Sequence, residues 1–228
     1  MPGRASLKRH GWKRHGLRRH SPREFDPVAL GRLETLAWAS YYRREWVPAL
    51  RGFVGMISQG FGLGPRLTVV AAWHVLRANQ AWAPVPNNDP DAARASMLRF
   101  YRLVRSHSDL VFDPVTASEL EVEWWRLHRA HQRDDAATRA QLEQALIDLY
   151  SHVYAAPPES MHEAARWRAE AMDLSDEWVD AGCDLDDARL SAERRALVAS
   201  YAALLDAVGN GLGSWRRGTP PQHDETPD

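Results

Sequence analysis

The residues in this chain most able to do chemistry are acids and imidazoles set among apolar side chains at helical spacing. Glu34, Trp38, Tyr41 and Glu45 fall on one stripe of an α-helix beside Leu30 and Ala37. His74 shares a side with Leu67, Ala71 and Ala78. His131 is centred between Leu120, Trp124 and Leu127, and Glu121, Trp125 and His128 form the neighbouring stripe. Glu163 and Glu170 flank Trp167 and Leu174. Inward Glu and His on facing helices are the ingredients of a carboxylate-bridged metal site inside a bundle. Oxygen ligands with imidazole suit iron or manganese, and open coordination positions would serve oxygen chemistry. The candidate ligands are Glu34, Glu45, His74, Glu121, His128 and His131. Di-metal bundles of this kind carry two Glu-x-x-His motifs deep in their helices. Here Glu159-Ser-Met-His162 is the one match, in the first turn of a helix. His128 and His131 at i, i+3, and Asp148 and His152 at i, i+4, permit a shared metal without requiring one. The competing reading is structural. Buried carboxylates are paired or hydrogen-bonded, and Glu34 or Glu45 would then meet arginines such as Arg43 or Arg44, and His131 a backbone carbonyl.

A second chemistry is non-covalent. Trp38, Tyr41, Tyr42 and Trp46 crowd one helix, and Trp124-Trp125 another. A pocket walled by Trp38, Tyr41, Trp124 and Trp125 would suit an apolar or planar ligand. Core filling is the alternative, since each buried aromatic removes roughly 150–250 Å² from water. Motifs of other chemistries are missing. The chain has no Gly-x-Gly-x-x-Gly, P-loop, His-Glu-x-x-His or Gly-x-Ser-x-Gly. Gly60-Phe-Gly-Leu-Gly64 lacks a preceding strand and reads as a turn. The single cysteine, Cys183, rules out an internal disulfide and a thiolate zinc cluster. Asp184, Asp186 and Asp187 beside it disfavour a reactive thiolate.

The elements that must position these residues are helices. Asp26-Pro27, Asp89-Pro90 and Asp113-Pro114 each read as an N-cap followed by proline at the first helical position. Pro157-Pro158 opens another helix, Thr116…Glu119 and Ser118…Glu121 match the capping box, and Gly182 and Gly209 suit helix ends. Apolar residues recur at i, i+3, i+4, i+7, as in Ala93, Met97, Phe100, Tyr101 and Val104. No segment alternates with period two for long enough to make a strand. The pattern predicts about eight helices, at 27–47, 48–58, 66–82, 90–106, 116–132, 136–154, 158–181 and 188–208. The fold class is all-α, a single-domain multi-helix bundle over 25–208. It is flanked by a disordered basic arm at 1–24 and a disordered tail at 209–228. Helix 66–82 is apolar nearly all round, which predicts a central, buried position.

The charge is divided unevenly. Residues 1–23 hold eight Arg or Lys and no acid, in a five-residue repeat such as Leu7-Lys-Arg-His-Gly11; the remainder carries a formal −9. Such an arm is able to contact nucleic acid or an anionic membrane through charge, though low-complexity leaders share the pattern. No stretch of about 18 apolar residues exists to span a bilayer. Gly52–Pro65, 14 residues without a charge, fits a buried helix plus a loop. Without the apolar run of a signal peptide, the expected location is cytoplasmic. The leading expectation is a helical bundle, rich in tryptophan, that binds a small molecule, a protein partner or a second copy of itself. An iron- or manganese-dependent oxidoreductase and association through the basic arm are the alternatives.

Overall fold

The computed structural model describes residues 21–215 except Asp135, with the side chains of 134 and 210–215 also outside the description. The repeats of the basic arm and the end of the tail lie outside the described residues. Eight helices follow in order: α1 (Pro27–Tyr42), α2 (Trp46–Phe61), α3 (Pro65–Trp82), α4 (Pro90–His107), α5 (Pro114–Asp134), α6 (Arg139–Tyr154), α7 (Pro158–Asp180) and α8 (Ala188–Trp215). There is no strand among the described residues. The protein is therefore all-α, as the periodicity requires.

The starts follow the sequence chemistry. Asp26 accepts from the backbone N–H of Val28 and Ala29, Asp89 from Ala92, and Asp113 from Thr116. Each carboxylate satisfies N–H groups that have no partner within the helix. Three local expectations change. The capping box forms at Thr138 with Gln141, not at Thr116 or Ser118, whose hydroxyls donate to Asp113 and to the Val115 carbonyl. The break after α1 falls at 43–45, where Arg44 adopts a left-handed φ of 61°, and Pro48 sits inside the first turn of α2. Proline is tolerated there because the first N–H groups lack intrahelical acceptors. Gly209 does not end α8, which continues to Trp215.

Each helix packs against the next, and α8 returns to pack against α1, so the bundle closes as a ring. Among the described residues the only further pair in more than marginal contact is α5 with α7. Short connections make successive helices antiparallel neighbours. Side chains confirm that the ends of α1, α3, α5 and α7 meet. Arg44 donates to the Ala83 carbonyl, Arg129 to that of Trp82, and Arg43 to that of Cys183. At the opposite end Arg23 donates to the carbonyls of Tyr154 and Val208, Pro22 is fully buried, and Phe25 packs edge-on to Tyr201. The packed body thus begins a few residues before the predicted boundary at 25.

The ring also corrects the place of α3. It is a stave rather than a central helix, and Val69, Val70 and Trp73 on its outer face are 54%, 46% and 51% exposed. Its inner residues Ala71, Ala72, Leu76 and Ala78 are buried. Composition showed apolar side chains all round, but among the described residues no second layer covers them. The uncharged stretch from Gly52 forms the end of α2 and the turn after it.

Candidate functional site

What lies inside the ring is a cavity of about 570 Å³, to which all eight helices contribute walls. Trp38, Tyr41, Trp124 and Trp125, the aromatic set read from the sequence, all line it. Trp38 is tilted against Trp124 at 6.3 Å between ring centroids, and Trp124 is edge-on to Trp125 at 6.0 Å. The lining residues that are exposed at the surface are Arg44, Val85, Arg133 and Asp180. They belong to the end where α1, α3, α5 and α7 finish, so the cavity opens there. The closed end is built from Phe25, Leu30, Phe61, Phe100 and Leu204.

Between the two ends runs a belt of buried polar groups. Glu34 is 1% exposed and its carboxylate is saturated. It accepts from Trp38 Nε1 at 2.9 Å, Tyr201 Oη at 2.5 Å and Arg168 Nη1 at 2.9 Å, with Arg168 Nη2 closing a bidentate pair on the other oxygen. Burial pulls the Arg168 guanidinium pKa down, but the Glu34 carboxylate together with the Tyr150 and Tyr201 phenols outweighs this and the net shift is upward. Tyr201 is held well above the usual phenol range by burial and by the same carboxylate. Across the cavity Glu121 accepts from Tyr101 Oη at 2.6 Å and Trp125 Nε1 at 3.2 Å. Burial raises its pKa, against the pull of the Tyr101 bond and Arg168. Glu193, also 1% exposed, is pushed up to about 8 by burial and by Glu34, and its Oε2 has no partner. At neutral pH it is mostly the neutral acid, which is the inexpensive way to bury a carboxyl.

A second polar network joins α5 to α7. His128 Nε2 lies 3.0 Å from Asp176 Oδ2, and Asp176 Oδ1 accepts from Gln132 at 2.7 Å. His131 Nδ1 lies 3.0 Å from the Ala137 carbonyl, and Nε2 is 3.4 Å from Asp173, which pairs with Arg139 at 2.6 Å.

These placements separate the six candidate metal ligands. Glu34 and Glu121 are each occupied by protein donors, His128 and His131 face different aspartates, and Glu45 pairs with Arg43 near the surface at 2.9 Å. His74 is half-buried on α3, where burial and Arg99 lower its pKa. Among the described residues no three His, Cys, Asp or Glu side chains are placed to hold a metal ion. Of the six, Glu34, Glu121 and His128 line the cavity, whereas Glu45, His74 and His131 do not. The sequence pattern could not say which helix stands opposite, and arginine and phenol donors stand there. Cys183 is raised by burial, so its thiolate is disfavoured.

Arg168, Tyr101 and Tyr201 complete the site, with Glu193 buried behind its lining, although none was singled out from the sequence as a polar site residue. A signal existed. Arg168 shares a stripe with Ala164, Ala171 and Met172, and Glu193 with Ala196 and Leu197, all of them buried. A charge on an apolar stripe predicts either an opposite charge across the core, as Arg168 finds in Glu34, or a neutralised group, as at Glu193. Comparison with protein-family models, curated proteins and solved structures gives no match for this chain.

Proposed function

We propose that this bundle is a binding protein that holds a small, largely apolar or planar molecule inside its ring. The observation that carries the reading is the aromatic-walled cavity of about 570 Å³. That size falls within the roughly 300–1,000 Å³ typical of small-molecule sites, which are likewise mostly apolar with a few fixed polar groups. Interiors are ordinarily close-packed. At roughly 24 cal/mol per Å³, leaving such a space unfilled by side chains forgoes on the order of 10 kcal/mol, comparable to a domain's entire stability. A core that keeps it is not packed for stability alone.

The test is a titration with a neutral aromatic probe, N-phenyl-1-naphthylamine, followed by its fluorescence and by quenching of the native tryptophans. Wild-type protein should bind it saturably. A Val75→Trp variant, which fills the wall from α3, should bind at least tenfold more weakly while keeping its helical circular-dichroism spectrum. No saturable binding, or equal binding by the filled variant, removes the reading.

A second reading, self-association, is favoured by the exposed Val69–Val70–Trp73 face of α3. Sedimentation should then show a dimer that Trp73→Glu converts to monomer; a monomeric wild type dismisses it. The iron or manganese oxidoreductase is not favoured, because its six ligands do not converge. Among the described residues no helix is long and apolar enough to cross a membrane.

A further inference from the structure

We infer that the molecule held by the ring is an amphipathic organic anion, with a carboxylate head at Arg44, Arg129 and Arg133 and an apolar body reaching towards Phe25. This rests on the cavity being a binding site and adds which end of the ligand is charged, with what sign, and how long its body is.

The length comes from α1. Its lining residues run from Leu30 to Tyr42, twelve steps along the helix or about 18 Å at 1.5 Å per residue. The hydrocarbon core of a bilayer, two acyl chains deep, is about 30 Å, so one chain occupies about 15 Å. The shaft accommodates one such chain, and its closed end is apolar and aromatic.

The sign of the head comes from the opening. Arg44 and Arg133 are exposed, Arg129 is half-buried, and all three line the cavity. Their charges converge on one point: Tyr41, raised by burial, is pulled back down by Arg129, Arg44 and Arg133 together. None of the three forms an ion pair with a carboxylate among the described residues, whereas Arg139 and Arg168 do. Among the described residues Asp180 is the acidic lining residue at that opening, so the guanidiniums outnumber it. The clustering also runs against the formal −9 of residues 24–228.

Part of this arrangement has a structural use. Arg44 donates to the Ala83 carbonyl at 3.0 Å and Arg129 to the Trp82 carbonyl at 2.7 Å, which caps the end of α3. Arg129 also lies 4.3 Å over the Trp82 ring. Yet a guanidinium has five N–H donors, so most of each fork is left for an oxyanion, and Arg133 has no capping bond at all among the described residues. Arg44 is held in place at the cost of a left-handed φ of 61°, a conformation that non-glycine residues seldom adopt. Deeper in the shaft, Glu34 and Arg168 neutralise each other and Glu121 is held by Tyr101 and Trp125 with its pKa raised by burial, so the belt calls for no charge on the ligand body.

The experiment compares three twelve-carbon probes of one length, each below its micelle concentration: dodecanoate, dodecanol and dodecylamine. Calorimetry or tryptophan fluorescence gives the affinities. Dodecanoate should bind at least tenfold tighter than dodecanol, and dodecylammonium should bind weakest. Arg133→Gln, at an exposed position without hydrogen bonds or ion pairs among the described residues, should weaken dodecanoate about threefold to tenfold and leave dodecanol unchanged. Arg44→Gln combined with it should weaken dodecanoate further. Equal affinities for the three probes, tighter binding of the amine, or equal losses for acid and alcohol would overturn the inference while the cavity remains a binding site. If N-phenyl-1-naphthylamine binds and no twelve-carbon probe does, the inference fails alone. If nothing binds, it fails together with the proposed function.

Discussion

The seams of the ring and the space inside it are built by opposite rules from the same helices. At the seams, backbones approach until no side chain fits. A Cβ on Gly52 would lie 2.8 Å from Ala37 Cβ and 3.0 Å from the Ala37 backbone, and one on Gly31 would lie 2.6 Å from Val198 Cγ2. At the α7–α8 seam the fully buried Ala164 offers its carbonyl to Ser200, which donates across at 2.8 Å. On the inner wall the rule reverses. A Cβ on Gly60 would meet nothing nearer than Leu30 Cδ2 at 3.8 Å. Small residues between helices and large aromatics facing inward draw the staves together without filling the centre. The difference teaches that the cavity is produced by where the tight contacts are, not by a shortage of bulky side chains.

The belt decides whether that comparison is right, and the largest effect is expected there. Glu34→Ala would leave the Arg168 guanidinium buried without its bidentate partner. Loss of one member of a buried ion pair costs roughly 3–5 kcal/mol, so urea unfolding of the variant should show an unfolding free energy lower by that order. A change below about 1 kcal/mol would mean water already screens the pair, and the belt would then belong to the open space rather than to the scaffold.

A pH effect should come next. Glu193 is raised to about 8 from an ordinary value near 4.5. The folded state therefore holds its proton more tightly than the unfolded chain. The stability this contributes is complete below the unfolded value and is lost as pH rises from about 4.5 through about 8, at no more than about 1.4 kcal/mol per pH unit. Glu121 and Asp173 are raised as well and act in the same direction. Denaturation at pH 5 and pH 8.5 should show wild type weakening at the higher pH and Glu193→Gln weakening clearly less. Identical slopes would relocate the effect to the other two carboxyls.

The glycine pair sharpens the comparison most directly, with the smallest energies. Gly52→Ala should destabilise by about 1–3 kcal/mol, the range for overpacking a tight core. Gly60→Ala should stabilise by about 0.5–1 kcal/mol, since glycine within a helix costs that much relative to alanine. Thermal melts of the two variants must move in opposite directions. Movement of both in the same direction would erase the distinction between seam and inner wall.

What the sequence determined by itself was local. Caps at Asp26, Asp89 and Asp113 and the 3.6-residue apolar period fix the helices, because both depend on neighbours within one turn. The same period places Glu34, Glu121, Trp38 and Trp124 on inward faces. The break at Arg44 escaped, since a left-handed φ at a non-glycine residue leaves no compositional mark. The tertiary structure alone decided what those inward faces meet. A stripe gives an angle about one helix axis, and partners are set by the register of a different helix, distant in sequence. Glu34 therefore reads as a metal ligand or as half of an ion pair until α7 brings Arg168 across from 134 residues away. By the same logic α3, apolar all round, reads as central until the return of α8 to α1 closes the ring and leaves Trp73 on the outside.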